Sequence, residues 1–307
     1  MSNFHVQSPL GTPSSAALPE VPNFLSLDRI RHELVLMEDT IVFALVERAG
    51  FAQNLCIYTE GHENFKFAEP VKGSFLDYFL AEMEAVHAKV RRYTSPDEYP
   101  FTSPDKLPKP VLPPLKFPQL LCPNDININN TIKQIYVEKI IPSLCKEGDD
   151  SNYGSSSTKD IEALQVLSRR IHFGKFVAEA KFQDPKTQDE YIRLIEAKDR
   201  AGIEALLTNR AVEERLLKRL RLKAFIFGQE VDDTQTDASN LSSGMNESSW
   251  RVPGTPVTGK PPKKSRKINP DLVVHLYEQF VIPLTKDVEV EYLMGRLKYH
   301  PEFTPSF

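Results

Sequence analysis

From Leu27 to Leu45 the apolar residues fall at Leu27, Ile30, Leu34, Met37, Ile41 and Leu45, in steps of three and four. That spacing collects them on one face of a helix and is incompatible with a strand, whose sides alternate every second residue. Ser26 stands before the run as an N-cap and Gly50 closes it. The same step recurs along most of the chain. Phe75, Phe79, Met83 and Val86 predict a helix over about 73–93, ending in Arg91 and Arg92, which suit a helix C-terminus. Further helices are predicted over about 129–146 and 157–182. Two short pieces then reach Leu207, and longer ones cover 211–227 and about 270–297. The last begins with a proline, allowed in a first turn because its missing N–H has no intrahelical partner there. Cys56-Ile57-Tyr58 is the only strand-like fragment. The expected class is all-α, a single domain of long packed helices.

Other stretches cannot be helical. Nine prolines between residues 96 and 123 exclude a helix there. The interleaved Phe, Leu and Val predict an ordered strap over the body. Residues 229–269 are rich in Ser, Thr, Asp, Asn, Gly and Pro and end in the basic run KPPKKSRK, which predicts a disordered insertion. The run reads as a solvated loop, with nuclear import or an anionic surface as the alternative. The expected organisation is a flexible arm over 1–23, one helical domain over 24–298 that carries the insertion, and a tail over 299–307.

A net charge of −4 argues against a nucleic-acid-binding protein. No apolar run approaches the ~18 residues of a membrane span, and the first 23 residues lack the basic start and apolar core of a secretory signal. Cys56, Cys122 and Cys145 form no CxxC pair, and the seven histidines form no HExxH pair. Neither a disulfide framework nor a metal site is expected, and a reducing, cytoplasmic setting fits best.

The most informative segment is RRIHFGKFVAEAKF, residues 169–182. Arg170, Gly174, Val177 and Lys181 are spaced four, three and four, so they share one narrow stripe, continued backwards by Val166 and Ala163. The two cations are therefore expected to face the bundle interior, with Gly174 and Ala178 leaving room for something compact and anionic. The bland alternative is that both snorkel to a solvated edge. Arg169, His172 and Lys175 lie off the stripe and read as structural or solvated. Asn209 with Glu213, and Thr285 with Glu289, are i,i+4 pairs able to address one ligand, or else ordinary solvated faces. Arg31 flanks the Ile30–Leu34 stripe and can reach inward. Buried polar groups need partners, so several on separate helices imply a shared pocket.

Taken together, LQVLSRRIHFGKFVAEAKF, NYGSSSTKDIE, KGSFLDY, RRYTSPDEYPF, AVEERLLKRL and IPLTKDVEVEYL closely resemble the fungal and plant chorismate mutases. The resemblance is collinear over residues 24–228 and 268–298. It implies an all-helical homodimer that converts chorismate to prephenate on the route to phenylalanine and tyrosine, with no cofactor and no covalent intermediate. In that reading Arg31 and Arg170 clamp the two substrate carboxylates, a task suited to the guanidinium fork. Lys181 donates to the ether oxygen, and Glu289 assists it if burial keeps it protonated. Asn209, Glu213 and Thr285 hold carboxylate and hydroxyl groups. The resemblance further implies inhibition by tyrosine and activation by tryptophan through Arg91, Arg92, Asn152, Gly154, Ser155 and Thr158, at a dimer interface. Read without it, those residues are ordinary helix caps. The insertion at 229–269 departs from the family pattern. Two rivals are a non-catalytic aromatic amino-acid sensor and a helical interaction protein using the basic run.

Overall fold

Ser26 opens the first helix as the spacing predicts, its hydroxyl accepting from the backbone N–H of Arg29. This helix, α1, spans Leu27–Arg48. The computed structural model describes residues 25–67, 73–115, 118–229 and 267–299; the expected arm, the body of the expected insertion with most of its basic run, and the tail beyond Tyr299 lie outside the described residues.

Helix α2 (Phe75–Lys89) starts from a capping box in which Ser74 and Asp77 satisfy each other's backbone donors. Next come α3 (Asn129–Ile135), a π-helical turn (Tyr136–Ile140) and α4 (Ile141–Leu144). Helix α5 (Tyr153–His172) runs into α6 (Gly174–Phe182), followed by α7 (Gln188–Glu196), α8 (Arg200–Leu207) and α9 (Arg210–Phe227). The chain closes with α10 (Pro270–Leu276), a second π-helical turn (Tyr277–Val281) and α11 (Ile282–Met294).

The structure corrects the sequence reading at four points. Each of the helices expected at 129–146 and 270–297 is broken by a π-helical turn directly before Pro142 or Pro283. Proline has no N–H to donate and its ring crowds the preceding turn, so the ladder widens ahead of it. The long helix begins at Tyr153 rather than near 157 and is jointed at Phe173. Cys56-Ile57-Tyr58 belongs to a 3-10 turn, Leu55–Tyr58, and no strand occurs among the described residues.

Helix α1 runs antiparallel to α5 and α6. Arg48 near its end pairs with Asp160 in the first half of α5, while Ile30 near its start packs with Phe173 and Phe176. The Arg48–Asp160 pair is fully buried and tightly knit. The guanidinium also donates to the Ala52 and Gln53 carbonyls, and Asp160 accepts from Tyr58 and Tyr136. Helix α9 lies against α1, where Arg219 grips buried Glu38 through two hydrogen bonds, and α11 packs on α5, α6 and α8.

The proline-rich segment is tied down along its length. Glu84 accepts from the N–H groups of Phe101 and Thr102, Asp97 pairs with Arg169, and the Cys122 N–H reaches the Tyr292 hydroxyl. No helix among the described residues is long and apolar enough to cross a membrane.

Candidate active site

The stripe survives the joint at Phe173. That residue keeps right-handed helical angles (φ −61°, ψ −15°), and its N–H bonds to the Arg169 carbonyl at 2.9 Å. Helical phase therefore carries through, and Arg170, Val177 and Lys181 face one cavity of about 140 Å³. Asn209, Val212, Glu213 and Leu216 of the α9 start close another side, with Leu207 at the end of α8. Ile282, Thr285, Lys286 and Glu289 of α11 form a third, and Leu34 of α1 completes the wall. Polar side chains from three separate stretches of sequence thus converge, as the buried-polar argument requires.

Arg170 is 5% exposed and donates to the Thr285 hydroxyl at 3.3 Å. Its Nε is buried without a hydrogen-bond partner. A buried guanidinium donor left open is costly, and an anion in the cavity would satisfy it. Lys181 donates to the Leu207 carbonyl at 2.5 Å, which fixes the ammonium at the cavity and leaves its other protons available. Burial lowers its pKa, and the nearby Glu289 carboxyl works against that shift.

Glu289, 7% exposed, moves the other way: burial pushes its pKa up to about 7, with Lys181 and Arg170 opposing the rise. Arg170 and Lys181 therefore face a carboxyl whose protonated form is favoured below about pH 7. Asn209 caps α9, its side-chain oxygen accepting from the Val212 N–H at 3.2 Å, so the amide NH₂ is what remains for the cavity. Thr285 donates to the Val281 carbonyl at 2.6 Å and so presents an oxygen to Arg170.

Three features were not visible in the sequence pattern. Lys286 lines the cavity and pairs with Glu213 at 3.0 Å. Its place one turn after Ile282 on the Thr285–Glu289 face was the available signal. Second, the space beside Gly174 belongs to α11 rather than to a ligand. A Cβ there would lie 3.0 Å from the Thr285 carbonyl oxygen and from Glu289 Cγ. Ala178 is likewise buried in a core cluster. Third, Arg31 does not line the cavity. Its side chain is 56% exposed and bonded to Asp28 at 2.9 Å, one turn before Leu34.

Of the residues off the stripe, Arg169 pairs with Asp97. His172 is buried and held neutral, its pKa lowered to about 4 chiefly by burial, with Nε2 accepting from the Ile128 N–H. Lys175 is not solvated at all. It is fully buried over the Tyr99 ring and donates to the Ile126 carbonyl.

The expected effector residues fall into two groups. Arg91 adopts left-handed backbone angles (φ 70°), donates to the Pro113 carbonyl, and keeps a buried Nε without a partner. Arg92 bonds to Glu98 and to Gln165 of α5. Asn152, Gly154, Ser155 and Thr158 stand at the opposite end of α5, with Asn152 in the N-cap position and Thr158 bonded back to the Gly154 carbonyl. Gln165 is about 18 Å along the helix from Tyr153 at 1.5 Å per residue, so one protomer does not bring the two groups together.

The fold and cavity define a helical protein with a small polar cavity, in which cations and a carboxylic acid converge from α5, α6 and α11. A family model for chorismate mutase type II matches residues 152–290, which include every cavity residue named above except Leu34. The chain is 46% identical over 278 residues to the chorismate mutase of Saccharomyces cerevisiae, covering 89% of this chain and 96% of that one. Among solved structures it is similar to Candida albicans chorismate mutase in complex with L-Trp, at a TM-score of 0.74 and 41% identity, covering 89% and 92% of the two chains. It is also similar to the plant chorismate mutase AtCM1 with tyrosine bound in its allosteric site, at a TM-score of 0.72 and 39% identity, covering 90% and 98%. This chain belongs to the chorismate mutase family.

Proposed function

We propose that the cavity rearranges chorismate to prephenate. The observation that carries this reading is the facing of Arg170, with its open buried Nε, and Lys181 onto a carboxyl that stays protonated to about pH 7. The rearrangement is intramolecular: one C–O bond breaks as one C–C bond forms, and no proton needs to be moved. Catalysis then consists of holding the compact conformer and stabilising charge that develops on the ether oxygen. Arg170 grips one carboxylate. Arg31, now at the rim with Asp28, swings inward to meet the other, a movement within the flexibility of a half-exposed arginine. Lys181 donates to the ether oxygen from one side and protonated Glu289 from the other, while Asn209, Glu213 and Thr285 seat the remaining polar groups. In this reading the contacts come from the lining side chains together with Arg31 at the rim.

Regulation by tyrosine and tryptophan is part of the same proposal. The Candida relative is complexed with L-Trp, and the plant relative holds tyrosine in its allosteric site. Here the strained, partly unsatisfied Arg91 and the free N–H groups at the start of α5 are two halves of a site for an amino-acid carboxylate. Because one protomer separates them, we place the effector site between two protomers of a homodimer. The free thiols of Cys56, Cys122 and Cys145 fit a reducing compartment, and we assign the protein to the cytosol.

The test is the loss of chorismate absorbance in the ultraviolet, with and without tyrosine or tryptophan. Turnover slowed by tyrosine and raised by tryptophan is expected. A folded protein without turnover ends the catalytic reading. Turnover indifferent to both amino acids ends the regulatory one.

A further inference from the structure

Five ionisable side chains line the cavity: Arg170, Lys181 and Lys286, against Glu213 and Glu289. Their charges are not evenly matched. Glu289 is buried among apolar walls and holds its proton to about neutral pH, so below that pH it carries no charge. Glu213 is more open, with its side chain 30% exposed, and it lies 3.0 Å from the ammonium of Lys286, which is 20% exposed. The pair joins the first turn of α9 to the middle of α11, two elements that meet across the cavity. Without Lys286, Glu213 would set an uncompensated carboxylate beside Arg170 and Lys181. One of those cations would then be drawn to it, and an incoming dianion would meet repulsion in a site of low dielectric.

We propose that Lys286 is a positioning residue. Its ammonium orients Glu213 and cancels that carboxylate's charge, so that Arg170 and Lys181 remain uncompensated for a dianionic substrate. This rests on the reading of the cavity as the chorismate site. Lys286 acts through Glu213, so its contribution is to substrate capture and is set by its partner. The ion pair leaves Glu213 one carboxylate oxygen for the ligand, in an orientation fixed from α11.

A double-mutant cycle on the full chain at about pH 6, below the pKa of about 7 to which burial raises Glu289, tests the assignment. Lys286→Met is expected to raise KM for chorismate about tenfold or more while kcat changes by a smaller factor, the size expected for neighbours sharing one charge network. Lys286→Arg, which can hold the same carboxylate, should return KM to within about threefold of wild type. In a Glu213→Gln background, where there is no charge to cancel, Lys286→Met should change KM by less than about twofold. If Lys286→Met proves unfolded by circular dichroism, Lys286→Gln takes its place in the same cycle. An unchanged KM in the single variant overturns the proposal. So does an equal loss in the Glu213→Gln background, which would mean that Lys286 meets the substrate directly or only supports the fold. Either result in an enzyme that turns chorismate over overturns the role of Lys286 alone. A wild-type protein without turnover overturns the reading beneath it as well.

Discussion

Gly174 on α6 and Thr285 on α11 meet so closely that a Cβ on the glycine would stand 3.0 Å from the Thr285 carbonyl oxygen, and equally near Thr285 Cγ2 and Glu289 Cγ. The α5–α6 segment carrying Arg170 and Lys181 is thereby set at a fixed distance from the helix carrying Glu289. Gly174→Ala must push the two apart, since one of the obstructing atoms is backbone. Overpacking of this kind costs about 1–3 kcal/mol, partly offset by the better helix propensity of alanine. The variant should unfold at a lower temperature and lose about tenfold or more in kcat/KM, because near-ångström displacements of positioned groups are expensive in rate. Wild-type Tm together with wild-type kcat/KM would contradict this account of the glycine.

In its proposed role, the Glu289 carboxyl makes the activity pH-dependent with a definite sign. Its pKa is raised to about 7 by burial, so the protonated, hydrogen-bond-donating form dominates below that pH and is lost above it. Turnover should fall as pH rises through about 7. Glu289→Gln, which donates at every pH, should retain activity and lose this alkaline decline. The shift also links to stability. The folded state keeps a proton that the unfolded chain releases at its ordinary carboxylate pKa, so wild-type stability should rise as pH falls from about 7 toward that value. Chemical unfolding of the two proteins across this window should give curves that converge at low pH. A glutamine variant with the wild-type pH–rate profile would remove the acid from the mechanism.

Lys181 is fixed by the Leu207 carbonyl and retained in a desolvated wall, where a cation acts more strongly on developing charge than it would in water. Lys181→Ala should lower kcat by about 10²-fold or more, the range for losing one oxyanion-type donor. The loss should exceed any change in KM, because the ether oxygen acquires its charge only in the transition state. Near-normal turnover in single-turnover measurements would contradict the assigned role.

The stripe was legible in the sequence because it depends only on helical phase. Arg170, Val177 and Lys181 share a cavity, and a joint at Phe173 that keeps helical angles does not disturb them. Capping chemistry is equally local, so Ser26 could be recognised. What stayed hidden depends on neighbours distant in sequence. Lys175 is a buried lysine only because Tyr99 and Ile126 are folded over it. The space at Gly174 is taken up by Thr285 and Glu289 of α11, more than a hundred residues later in the chain. Lys286 reads as a surface charge until Glu213, more than seventy residues earlier, is brought beside it. The outward turn of Arg31 toward Asp28 is a rotamer choice, and residue spacing carries no information about it.

The separation of the two groups proposed to hold the effector leads to a prediction about assembly. Arg91 stands at the end of α2 with a buried, unpartnered Nε, while Gly154 opens α5 with nothing within 4 Å of the position its Cβ would take. Gly154→Leu should therefore fold normally and block its half of the site, and Arg91→Ala should empty the other. Each variant alone should catalyse normally and lose its response to tyrosine. If the site forms between two protomers, co-expressing the variants with different affinity tags gives a heterodimer in which one site joins the intact Arg91 of one protomer to the intact Gly154 of the other. The isolated heterodimer should recover tyrosine inhibition at about half the binding stoichiometry of wild type, because a two-fold axis generates two such sites and only one is whole. Isothermal titration and chorismate turnover read the two quantities independently. A heterodimer as unresponsive as its parents would place both groups in one protomer and overturn the shared site.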